Sequence, residues 1–127
     1  MADRTGGCAC GAIRFKITAP LMSVGVCHCT DCQKASGGAP NYVALAPAAG
    51  LEVVKGEPRT YVRKGDSGQD VGRVFCADCG TPLWSIPPSA PFRPVKLVRS
   101  TTTRTRVISW PPWRARTSSA CCFPSAA

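Results

Sequence analysis

No window of this 127-residue chain reaches eighteen consecutive apolar residues, so it offers no candidate for a membrane-crossing helix. The first seven residues also lack the apolar stretch of a secretory leader, and the expected compartment is the cytoplasm. Long apolar runs are scarce altogether. Twelve Gly and twelve Pro interrupt the chain, a composition that argues against a helical bundle and for short strands joined by turns. Acidic residues are few: seven Asp/Glu face sixteen Lys/Arg, and none lies beyond residue 90. No internal repeat is visible apart from the recurrence of cysteine pairs followed by glycine.

The length fits a single domain. A domain of this size buries only about two-thirds of its unfolded surface, so metal crosslinks, each worth on the order of 10 kcal/mol, would contribute heavily to its stability. The charge is uneven. Residues 1–90 carry nine Lys/Arg and seven Asp/Glu, whereas residues 91–127 carry seven Lys/Arg and no acid. Two divalent ions set against seven thiolates would subtract three charges from the first part, leaving about −1 there and a strongly basic remainder.

Ile13, Phe15 and Ile17 alternate with Arg14 and Lys16, the period of a strand with one buried face, and Pro20 ends it. Short strands are also expected at Val24–Val26, Tyr42–Leu45, Leu51–Lys55, Thr60–Arg63, Val71–Phe75 and Leu83–Ile86, with further candidates at Val95–Val98 and Val107–Trp110. Lys64–Gly68 reads as a hairpin turn, and the one helical piece is a short one around Asp31–Ala35. Composition shifts near Pro91, which divides the chain into residues 5–90 and an atypical basic tail, 91–127.

The chemistry lies in the cysteines. In a reducing compartment clustered thiols are metal ligands or redox groups before they are disulfides, and nine is an odd count. Three clusters stand out: Cys8-Ala9-Cys10-Gly11, Cys27-His28-Cys29-Thr30-Asp31-Cys32 and Cys76-Ala77-Asp78-Cys79-Gly80. Cysteines one or two residues apart on a tight loop present two sulfurs to one zinc, and a following glycine lets the backbone turn sharply. Val74-Phe75 before the third cluster and Pro82-Leu83-Trp84 after it mark a knuckle between two strands.

Seven sulfurs divide most simply into four and three. Cys8, Cys10, Cys76 and Cys79 make a closed structural site; Cys27, Cys29 and Cys32 leave one position open, as catalytic zinc does. Two rival readings stand beside this one: a dithiol at Cys29/Cys32 or Cys76/Cys79, though neither lies in a βαβ pattern, and a second zinc closed by His28 or a carboxylate. His28 lies between two presumed ligands, so its side chain is expected to point away from their ion. Cys121 and Cys122, being adjacent, are poor chelators and are read as free thiols.

The segments Gly7-Cys8-Ala9-Cys10-Gly11 with Arg14-Phe15, Cys27 through Gly37, Lys55-Gly56, and Phe75 through Leu83 together resemble the glutathione-dependent formaldehyde-activating enzyme domain, also represented by centromere protein V. The resemblance covers about residues 5–86. It implies a mainly β, Mss4-like fold with a structural zinc on Cys8, Cys10, Cys76 and Cys79 and an activity-linked zinc on Cys27, Cys29 and Cys32. It further implies a carbon-sulfur lyase-type reaction, in which glutathione and formaldehyde form S-hydroxymethylglutathione. Glutathione would then be a co-substrate, with Lys34, Ser36 and Gly37 as candidate contacts. Family members usually continue with a further strand and an acidic Gly-Thr-Leu-Asp-like segment. Residues 98–102 stand there instead, the pattern that a change of reading frame near residues 91–98 would leave. The alternative function is a non-catalytic zinc module that binds nucleic acid through its basic tail, where Trp110 and Trp113 interleave with Arg.

Overall fold

The computed structural model describes residues 4–38 and 41–96. Nine strands and one α-helix, with a single 3-10 turn at Ala48–Gly50, follow in chain order among these residues: β1 Arg4–Gly7, β2 Arg14–Ile17, β3 Ser23–Cys27, α1 Thr30–Ser36, β4 Asn41–Pro47, β5 Leu51–Lys55, β6 Arg59–Lys64, β7 Asp70–Phe75, β8 Pro82–Ile86 and β9 Phe92–Lys96. The described fold is mainly β, and all its strand pairings are antiparallel. A small sheet has the order β1-β2-β5; a six-stranded sheet has the order β3-β4-β9-β8-β7-β6.

The alternation in β2 sets the core. Ile13, Phe15 and Ile17 are buried while Arg14 and Lys16 lie at the margin. Phe15 meets Trp84 of β8 edge to face, ring centroids 5.4 Å apart at 77°, a geometry that places the positive ring edge over a negative face. Val74, Ala46, Val95, Leu83, Cys8 and Cys76 complete this inter-sheet core. β1 owes its place to glycine: a Cβ on Gly6 would stand 2.6 Å from Phe15 Cζ, so only a bare backbone lies across that ring.

The turn expected at Lys64–Gly68 joins β6 to β7, closed by Gly65 N–H to Gln69 O (2.8 Å) with Gly68 in the left-handed region at φ +79°. β9 occupies Phe92–Lys96 between β4 and β8, so the six-stranded sheet carries on past the composition shift at Pro91. Residues 97 and 98 of the candidate strand Val95–Val98 lie outside the described residues, as do the candidate strand Val107–Trp110, Trp113 and the Cys121-Cys122 pair.

The two faces of the large sheet differ. Ala46, Val74 and Val95 point into the core, and Ala44, paired with Val95, is buried on the same side. Residues one step out of phase with them point the other way: Cys27 opposite Asn41, Val43 opposite Lys96, and Arg73 opposite Ser85. Helix α1 adjoins this second face beside β4.

Candidate metal centres

The first cysteine group is assembled by two knuckles. Between β1 and β2 the chain reverses through Cys8-Ala9-Cys10-Gly11, with Gly11 at φ +85° and its N–H on Cys8 O (3.3 Å). Arg14 Nη1 braces this loop by donating to the carbonyls of Cys8 (3.0 Å) and Ile13 (2.9 Å). Between β7 and β8 the second knuckle closes with Gly80 N–H to Cys76 O (2.9 Å) and Cys76 N–H to Thr81 O (3.0 Å). Thr81 joins the two: its hydroxyl oxygen accepts from Ala9 N–H (3.1 Å) and its proton faces Cys79 Sγ (3.0 Å).

Cys8, Cys10, Cys76 and Cys79 thereby bring four sulfurs within 4.8 Å of one another. Cys8 and Cys10 are 3.5 Å apart, Cys10 and Cys76 3.8 Å. Four sulfurs at the zinc–sulfur distance in a tetrahedron would be separated by about 3.8 Å, so these edges suit such an ion. All seven described cysteines are free thiols.

Proton affinities in the group are pulled apart. The Thr81 hydroxyl, helped by backbone N–H groups of Thr81 and Cys10, draws the Cys79 thiol down to about 5. The N–H of Ala12 favours the Cys10 thiolate, but contact with the sulfurs of Cys8 and Cys79 outweighs it and pushes Cys10 up to about 12. Burial raises Cys8, yet the Ile13 N–H on its sulfur (3.1 Å) and its sulfur neighbours bring it below the usual thiol value. Four adjacent sulfurs cannot all ionise unless a cation joins them, and a divalent ion is what would make all four anionic together.

The second group is local. Cys27 ends β3, Cys29 caps α1 and Cys32 lies buried in its first turn; their sulfurs also fall within 4.8 Å. Cys29 Sγ accepts the N–H of Cys32 (3.4 Å), the bond that starts the helix. Among the described residues no histidine or carboxylate joins these three sulfurs. His28 is exposed, and its carbonyl accepts from Gln33 Nε2 (2.6 Å). Burial raises the Cys32 thiol, but the Asn41 amide, then the sulfurs of Cys29 and Cys27, bring it below its ordinary value. Cys27 moves up: a backbone N–H at Cys29 favours its thiolate, but burial and the neighbouring sulfurs win. Asn41 is buried, and its Nδ2 closes no full hydrogen bond among the described residues, an amide aimed at a site that welcomes negative sulfur.

Charged side chains that the cysteine pattern does not announce surround this group. Asp31, in the first turn of α1, pairs with Arg63 Nη1 of β6 (2.6 Å) and Arg73 Nη2 of β7 (3.4 Å), while Arg73 Nη1 donates to Ser85 Oγ (3.0 Å). These bonds hold a seven-residue helix, too short to persist alone, onto the sheet. Lys96 is half-buried at the end of β9; burial, joined by the charge of Arg73, lowers its proton affinity against the opposing pull of Cys32 and Cys27. Lys34, Ser36 and Gly37 are exposed. Ser36 Oγ donates to Gln33 O (3.4 Å), and the N–H groups of Gly37 and Gly38 both turn to that carbonyl.

No helix of the described residues is long and apolar enough to cross a membrane. A crystal structure of a Rhodobacter sphaeroides protein, solved as a structural-genomics target, shares this fold: TM-score 0.61, 21% identity, 80% of this chain and 92% of that one. A Halomonas elongata protein provisionally named a glutathione-dependent formaldehyde-activating enzyme is 34% identical over 90 residues, 68% of this chain and 57% of its own length. A Sordaria macrospora protein of the same provisional name is 29% identical over 89 residues, 69% of this chain and 37% of its own. The chain thus spans little more than half of the first relative and less than half of the second. The family profile described as "Glutathione-dependent formaldehyde-activating enzyme" matches residues 3–117, a span that contains both cysteine groups, and the chain belongs to that family.

Proposed function

We propose that this chain is a zinc-dependent enzyme of the carbon-sulfur lyase type that joins glutathione to formaldehyde or handles a closely related thiol adduct. The reaction is balanced without a further reactant: the thiol sulfur bonds to the carbonyl carbon, the C=O π bond opens, and the thiol proton passes to oxygen. The observation that carries the reading is the contrast between the groups. One gathers four sulfurs from two distant knuckles, the donor set of a closed structural zinc; the other offers three sulfurs and no further protein ligand among the described residues.

Zinc held by Cys27, Cys29 and Cys32 would supply a Lewis acid and would favour the thiolate form of an incoming thiol. The chain's own residues do the rest. The Asp31 ion pairs fix α1 and with it the spacing of Cys29 and Cys32, and Asn41 favours charge on Cys32. Lys34 and Ser36 on the exposed side of α1, and the carbonyl of Gly37 just beyond it, whose N–H is already held by Gln33 O, are the proposed contacts for the polar ends of glutathione. A cytoplasmic site for this chemistry fits the thiol-rich ligand sets.

The test is zinc per chain by elemental analysis on protein purified without added metal, before and after exposure to glutathione and dialysis, alongside adduct formation followed by NMR with labelled formaldehyde. Two zincs, one of them labile, and a faster adduct exchange than in buffer are expected. In Cys27→Ser one zinc and the acceleration disappear while the fold persists. A single, tightly held zinc in the unaltered protein, or an acceleration that survives Cys27→Ser, would overturn the assignment.

A further inference from the structure

The second face of the large sheet carries a cation that neither the ligand set nor the helix clamp uses. Cys27 stands opposite Asn41 on β4, and Val43, two residues on, stands opposite Lys96 on β9. Directly paired residues share a face, as do residues two apart, so Cys27, Asn41, Val43 and Lys96 line one surface beside α1. The arginines nearby are committed: Arg63 and Arg73 share the Asp31 carboxylate. Among the described residues no carboxylate pairs with Lys96. Along this surface Lys96 faces the three-sulfur group; burial and the like charge of Arg73 disfavour its ammonium, and the sulfurs of Cys32, Cys27 and Cys29 are what oppose them.

Three thiolates around a divalent ion leave one net negative charge, and a fourth thiolate would leave two. In a partly buried position that second charge is costly unless a cation stands by. A neutral fourth ligand adds no charge and needs no such partner. The geometry points to Lys96 as a specificity-determining residue: its ammonium compensates the charge of the three-cysteine centre and makes it accept a thiolate, rather than a neutral donor, as its fourth ligand. This rests on the reading of Cys27, Cys29 and Cys32 as an open metal site.

Cobalt(II) tests the assignment without turnover, because its visible spectrum reports each ligand exchange. The cobalt-loaded full chain is titrated at one pH with 2-mercaptoethanol, which brings a thiolate and no other charge, and with imidazole, which is neutral. Lys96→Met is expected to weaken the thiol titration about tenfold, the lower end of the effects seen when groups around a metal's ligands are removed, and to leave imidazole unchanged. Lys96→Arg restores the thiol affinity. Lys96→Gln serves as a second neutral variant should Lys96→Met fail to fold. Equal weakening of both ligands, or an unchanged thiol titration in the neutral variants, overturns the role of Lys96 while the open site stands. A cobalt spectrum in the unaltered protein that neither ligand changes overturns the open site itself, and this role with it.

Discussion

Thr81→Val is the most telling single change in the first cysteine group, because it removes one oxygen and keeps the shape. That oxygen serves both knuckles, accepting from Ala9 N–H (3.1 Å) and donating toward Cys79 Sγ (3.0 Å). It is also the largest cause of the Cys79 thiol's fall to about 5 from an ordinary 9.0. The sign follows. A thiol whose proton affinity is depressed in the folded protein contributes stability that is complete above the unfolded value near 9.0 and is lost as pH falls through about 5. Valine raises the folded value, so protons compete with metal at a higher pH. Loss of a group hydrogen-bonded to a metal ligand costs about tenfold or more in affinity. The assay is zinc transfer to a chromophoric chelator between pH 4 and pH 8. With zinc loaded onto the four-sulfur group, the variant is expected to release it at a distinctly higher pH, with Thr81→Ser close to the unaltered protein. Identical release curves for Thr81→Val and the unaltered protein would refute the argument, since the hydroxyl would then contribute nothing to the thiolate.

Two further changes probe how the sites are held. Asp31→Asn removes the charge that Arg63 and Arg73 share; with the Asp31 side chain 16% exposed, the pairs lie between surface and buried, and a loss of about 2 kcal/mol is expected in thermal unfolding of the zinc-loaded protein. A change under about 0.5 kcal/mol would show that α1 does not depend on this clamp. Phe15→Ala takes a ring that is 3% exposed away from Trp84 and should cost about 3–5 kcal/mol, read from urea unfolding with zinc in excess. A cost below about 1 kcal/mol would mean the inter-sheet core is not centred on this pair.

Much of this was legible in the chain, for reasons that differ by element. The period-two pattern of β2 and the turn residues at Gly65 and Gly68 report local rules, and those segments form as expected. The spacing of the cysteines divides them into the same groups of four and three that the fold brings together. β1 escaped because Arg4-Thr5-Gly6-Gly7 has no apolar alternation; its strand exists through pairing with β2 and the room Gly6 leaves for Phe15. β9 was half hidden by Pro94, which reads as a breaker. The sheet accommodates it because β8 and β9 meet at a single paired position, Trp84 with Val95, so the missing N–H falls where pairing is sparse. Asp31, Arg73 and Lys96 carry no periodic signal at all. They meet only through contacts tens of residues apart in sequence, which no local pattern encodes.

The two cysteine groups differ in what they close, and that difference argues for their separate roles. Cys8 and Cys10 lie on the loop of the small sheet, Cys76 and Cys79 on a loop of the large one, so an ion held by all four ties one sheet to the other across the Phe15–Trp84 contact. It closes a chain segment of more than sixty residues, as the 66-residue separation of Cys10 and Cys76 shows, and the entropy so removed from the unfolded chain is large. Cys27, Cys29 and Cys32 close only a few residues at the start of α1, whose attachment to the sheet is already made by Asp31, Arg63 and Arg73. An ion there would add little to what the fold already holds. On the proposed reading it could therefore exchange its fourth ligand, or leave, without opening the domain, which is the freedom a reactive centre needs and a structural one lacks.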